Sequence, residues 1–117
     1  MKLDRMVAAT IAALEDIKAR DITVLDVSKL TSLFDRMIIA SAESTRQTKA
    51  LANNVREKLK ADGAEVYGVE GEENGEWILV DLGDVIVHVM QPAIREYYNL
   101  EQLWAGPEVS VRQASRT

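Results

Sequence analysis

The stretch from Trp77 to Met90, Trp-Ile-Leu-Val-Asp-Leu-Gly-Asp-Val-Ile-Val-His-Val-Met, limits the choice of fold more than any other part of the chain. It consists of two aliphatic, β-branched runs separated by Gly83-Asp84, a pair favoured in two-residue hairpin turns because glycine supplies the positive φ such turns need. A two-residue turn fixes the register. Leu82 then faces Val85, Val80 faces Val87 and Ile78 faces Val89 on one side of the sheet. Asp81 faces Ile86, Leu79 faces His88 and Trp77 faces Met90 on the other. The first face is wholly aliphatic and belongs in a core. The second mixes apolar bulk with polar groups and admits two readings. Either a helix covers it and His88 is a satisfied buried imidazole, or it is partly open, a Trp and Met anchor for a partner with a carboxylate at its edge.

Around the hairpin the patterning alternates between helical and extended. Leu3, Val7, Ile11, Leu14 and Ile17 recur at spacings of three and four and predict a helix running to about Arg20. Residues 22–27 and 37–42 are short β-branched runs that read as strands. Between them the polar segment 28–36 carries Leu30, Leu33 and Phe34 and is expected to tuck a helical turn against the core. Ser44 and Gln47 form a capping-box pattern opening a helix that bears Leu51, Val55 and Leu59, and Gly63 is placed to end it. Residues 65–70, 76–82 and 85–91 read as an antiparallel meander, with Asn74-Gly75 as its first turn. Pro92 opens a last helix carrying Ile94, Tyr97, Tyr98, Leu103 and Trp104, stopped by Gly106-Pro107. Tyr97 and Tyr98 point about 100° apart on that helix, so only one can sit fully in the core, and the other is a candidate contact. The fold class is therefore α/β: residues 1–105 form a single domain with a mixed β-sheet and a C-terminal antiparallel meander packed by helices. Residues 106–117, polar and aperiodic, are expected to form a flexible tail.

Composition narrows the function. The 117 residues are 47% apolar and 28% charged, enough for one core. There is no cysteine, which excludes disulfides, thiolate metal sites and cysteine nucleophiles. No apolar run has the length of a secretory signal or membrane span, so no membrane partner is expected and a cytoplasmic location is. The formal charge is −5 and the basic residues are scattered, which argues against naked nucleic acid and for a basic protein surface as partner. Glu70, Glu72, Glu73 and Glu76 around Asn74-Gly75 either steer such a partner or form a solvated loop. No glycine-rich loop followed by Lys and Ser or Thr is present to cradle phosphates, and His88 is the sole histidine, which rules out a histidine metal cluster. No cofactor is implied. Asp81 and Asp84 are the carboxylate pair on which the alternative, a metal-dependent enzyme, would rest.

The residues Val69-Glu70-Gly71, the whole hairpin from Trp77 to Met90, Tyr98 and residues 100–104 closely resemble the ribosomal silencing factors, the Iojap family. Asp21-Ile22, Asp26-Val27, Asp35, Met37-Ile38-Ile39 and Ser44-Thr45-Arg46 fit the same pattern, so the resemblance spans about residues 3–104. It implies an α/β fold like that of nucleotidyltransferases, without catalysis. It also implies binding to the large ribosomal subunit through large-subunit ribosomal protein number fourteen, on the face that meets the small subunit. Subunit joining would then be blocked sterically and translation lowered under starvation. Trp77, Asp81, Leu82 and Tyr98 match what look like the family's partner contacts. His88 and Met90 are nominated from the second hairpin face. Leu82 is in tension with this register, which turns it toward the core. A third reading is a homodimer that buries the second face in itself until the ribosomal partner competes.

Overall fold

A computed structural model of the chain describes residues 1–104 and the backbone of a strand at 108–112. In order along the chain the elements are α1 (Leu3–Asp16), β1 (Arg20–Asp26), β2 (Arg36–Ser41), α2 (Thr45–Ala61), β3 (Gly68–Glu70), β4 (Trp77–Asp81), β5 (Val85–Met90), α3 (Pro92–Tyr98), α4 (Leu100–Leu103) and β6 (Glu108–Arg112). The strands form one mixed sheet in the order β3-β4-β5-β2-β1-β6. β2 and β5 run parallel, and the other neighbours are antiparallel. A parallel pair needs a long crossover, here α2 and the β3-β4 strands, which brings the hairpin to the middle of the sheet.

Each face of the sheet has its own apolar layer. On the first, Ile78, Val80, Leu82, Val85, Val87 and Val89 pack with Ile22, Val24 and Ile38 against Met6, Ile11 and Leu14 of α1 and Leu51, Val55 and Leu59 of α2. On the second, Leu25, Val27, Met37, Ile39 and Met90 pack with Leu100 of α4, bordered by Phe34, Trp77, Ile94 and Trp104. The hairpin register follows the sequence pair for pair, from Trp77 against Met90 to Asp81 against Ile86. The turn closes with the Leu82 amide donating to the Val85 carbonyl at 3.0 Å, and Gly83 holds φ +86°.

The caps of α2 are as local chemistry predicts. Ser44 Oγ accepts from the Gln47 amide at 3.1 Å, and the Gln47 side chain reaches back to the Glu43 amide at 2.7 Å. At the other end the Ala64 amide donates to the Leu59 carbonyl and the Gly63 amide to that of Lys60, a Schellman closure around Gly63 at φ +93°.

Several local expectations are corrected. α1 ends at Asp16, because Lys18 turns left-handed (φ +63°) to start β1 already at Arg20. Residues 28–35 form turns and bends with no helix, leaving Leu30 and Leu33 exposed. Residues 71–76 make a six-residue connection between β3 and β4 in place of a two-residue turn at Asn74-Gly75. The last helix breaks into α3 and α4 at Asn99, which sits at φ +49°, a conformation asparagine tolerates. Residues 108–112, expected within a flexible tail, instead run antiparallel along β1 and cover an edge it would otherwise expose. Residues 105–107 and 113–117 of that tail lie outside the described residues.

Candidate protein-docking surface

The second hairpin face is covered at one end and open at the other. Alternation along β4 turns Trp77, Leu79 and Asp81 to this side, and all three are half-buried. β5 adds Ile86, also half-buried, then His88 and Met90, which are 5% and 0% exposed. α3 and α4 lie over the β1, β2 and β5 side, so the layer closes over Met90 and opens beyond it.

Trp77 is held from below and from the side. Its indole Nε1–H donates to His88 Nδ1 at 3.0 Å, the two rings lying 5.8 Å apart. Since Nδ1 accepts, the neutral imidazole carries its proton on Nε2. Burial also pushes the His88 pKa down from its usual 6.5 to about 4, so the ring stays uncharged at neutral pH. Above, the Tyr98 ring tilts against the indole at 5.0 Å, and Tyr97 meets Tyr98 edge-on at 5.0 Å. Tyr98 is 51% exposed and Tyr97 81%. The result is an aromatic stack running from a buried histidine to open solvent, with Leu103 exposed beside it. Gly71 fits it closely: a Cβ there would come within 2.1 Å of the Trp77 carbonyl oxygen, and its φ is +93°.

Asp81 stands apart, four residues along β4 and thus about 13 Å away. Its Oδ1 accepts from the Gly83 amide at 2.9 Å, an Asx turn that braces the hairpin tip. It lines a shallow groove with Leu33, Phe34, Tyr67, Gly83 and Ile86, where Leu33 and Tyr67 are exposed. Among the described residues no three acidic or histidine side chains converge as metal ligands, and Asp81 is engaged with the backbone.

The nominated contacts therefore divide. Trp77, His88, Met90 and Tyr98 come together, but only Trp77 and Tyr98 reach the surface. Leu82 is corrected: at 2% exposure it packs in the first-face core, as the register required. His88 and Met90 are corrected likewise: at 5% and 0% exposure they lie within the covered part of the second face and offer no surface of their own. Of Tyr97 and Tyr98, only one of which could sit fully in the core, neither does, since α3 buries no residue fully. Leu79 and Ile86 were legible from the same alternation that placed Trp77. Tyr67, Leu33 and Leu103 carry no sequence signal that separates an exposed apolar residue from a core one.

The chain matches, over residues 1–117, the family model described as "Ribosomal silencing factor during starvation". It belongs to the ribosomal silencing factor family. A ribosomal silencing factor of Chromobacterium violaceum is 57% identical over 110 residues, covering 94% of this chain and 90% of that protein. A crystal structure of a Chromobacterium violaceum protein superposes with a TM-score of 0.89 at 55% identity, covering 99% of this chain and 98% of the other. More distantly, the mouse protein named "Mitochondrial assembly of ribosomal large subunit protein 1" is 33% identical over 97 residues, which are 80% of this chain and 42% of that one. The silencing factors are ribosome-binding regulators of translation and not enzymes, so the metal-dependent alternative built on Asp81 and Asp84 is set aside.

Proposed function

We propose that this silencing factor docks the Trp77–Tyr98 surface on the large ribosomal subunit, through large-subunit ribosomal protein number fourteen. Seated there in the cytoplasm, its bulk blocks the small subunit and lowers translation when nutrients are scarce. The observation that carries this reading is the exposed Tyr98 ring stacked on a Trp77 whose indole is already fixed by His88. Rigid aromatic area that needs no ordering on binding suits an interface anchor. A net charge of −5 suits a basic ribosomal protein, and the mouse relative's name ties a member of the group to the large subunit. In this reading Trp77 and Tyr98 touch the partner, Asp81 lies at the rim, and His88 and Met90 support Trp77 from beneath. Leu82 acts only by packing the strand.

Calorimetric titration with the purified ribosomal protein tests this. Trp77→Ala and Tyr98→Ala should each raise Kd by about 30-fold, the ~2 kcal/mol of an interface hot spot. Failure of the wild-type chain to bind, or wild-type affinity in both variants with far-UV circular dichroism intact, would overturn the reading.

A further inference from the structure

The helix that presents Tyr97 and Tyr98 buries none of its residues fully, and only Ile94 packs against the apolar layer beneath. Besides Ile94 and the Tyr98–Trp77 ring contact, one side chain ties α3 to the sheet. Arg95 is 12% exposed and engages all five of its N–H donors. Nε and Nη2 both donate to Glu101 Oε2 of α4, at 2.9 and 2.7 Å. Nη2 also donates to Thr23 Oγ1 of β1 at 3.1 Å. Nη1 donates to the Asp21 carbonyl at 2.7 Å and to Ser41 Oγ of β2 at 2.8 Å. Asp21 itself holds φ +50° at an irregularity of the β1–β2 ladder, so its carbonyl is turned out of the regular pairing and toward the guanidinium.

These contacts reach across the sheet. Arg95 grips β1 and β2 on one side of β5, while Tyr98, one helical turn on, meets Trp77 of β4 on the other. We propose that Arg95, clasped by Glu101, is the positioning residue of the docking surface: it fixes the angle at which α3 sets Tyr98 on Trp77, without touching the partner. Only a planar fork with five donors fills this site, and a lysine ammonium, with three donors and no plane, cannot reproduce it. The inference rests on the docking role proposed above for Trp77 and Tyr98.

Two readouts separate the clasp from that role. In a Trp104→Phe background, the near-UV circular dichroism of Trp77 reports its coupling to Tyr98, and amide exchange reports α3. Arg95→Met and Arg95→Lys should both lose the Tyr98-dependent part of the Trp77 band and speed exchange in α3, with the far-UV spectrum unchanged; an unchanged band would overturn the clasp. Should Arg95→Met fail to fold, Arg95→Lys and Glu101→Gln decide by the same band. In affinity for the ribosomal protein, Arg95→Lys should cost about tenfold with Tyr98 present and under about twofold in Tyr98→Ala, the non-additivity expected of residues acting through one another. Equal costs in the two backgrounds, or a lost band with unaltered affinity, would overturn the positioning role. If the wild-type chain does not bind at all, the docking role fails and the Trp77 band alone decides the clasp.

Discussion

At the scale of single residues, His88 ties the setting of Trp77 to pH. Its pKa in the fold is about 4 against 6.5 when unfolded, so between those values the unfolded chain holds the extra proton. Stability therefore falls as pH drops from about 6.5 toward 4 and is independent of this group above 6.5. The full difference is on the order of 3 kcal/mol. His88→Asn keeps an acceptor for the Trp77 indole and removes the titration. Urea melts across this range should show the wild type losing stability relative to His88→Asn as pH falls. Parallel curves would mean that His88 is solvated or charged in the fold. That the chain's only histidine is a buried hydrogen-bond acceptor was one of two readings open in the sequence. Alternation placed His88 on the Trp77 face, but whether that face is covered depends on α3 and α4, which arrive from 92 onward.

At the scale of elements, the connection between β3 and β4 aligns the strand that carries Trp77. Gly71 opens it, and its carbonyl accepts from the Gly75 amide at 3.0 Å. Gly71 and Gly63 share φ +93°, yet an added Cβ at Gly63 meets nothing within 4 Å, whereas at Gly71 it strikes the Trp77 carbonyl. Both alanine variants carry the cost of a left-handed backbone, roughly 1 kcal/mol, and Gly71→Ala should lose a further 1–2 kcal/mol from displacing Trp77. Chemical denaturation of the two variants checks this, and equal losses would show that the loop yields without strain. The sequence misread this loop because Asn74-Gly75 satisfies the residue preferences of a hairpin turn, while the long-range bonds from Gln91 to Gly75 and Glu76 that shape it are invisible locally. The hairpin at Gly83-Asp84 was legible because turn chemistry and strand alternation pointed to one register. The break at Asn99 was not, since the apolar spacing through Leu103 and Trp104 continues the helical period. Val109 and Val111 do alternate with Ser110 and Arg112, but so short a pattern becomes a strand only beside β1.

At the scale of the whole molecule, the mixed sheet buries one hairpin face under α1 and α2 and leaves the other half-roofed by α3 and α4. That partial roof produces an exposed aromatic stack on an otherwise acidic chain. The core, the strand order near the hairpin and the two faces follow from patterning, but which residues of the second face are exposed and which are covered is settled only by burial. Under the proposed docking, a steric block would be a property of where the chain sits and would ask for no chemistry of its side chains. The most direct measurement is light scattering of purified large and small ribosomal subunits mixed in magnesium, with the chain pre-bound to the large subunit. The wild type should suppress the rise that marks subunit joining, and folded Trp77→Ala should restore it at the same concentration. Undiminished joining with wild-type chain bound to the large subunit, or equal suppression by Trp77→Ala, would contradict the account.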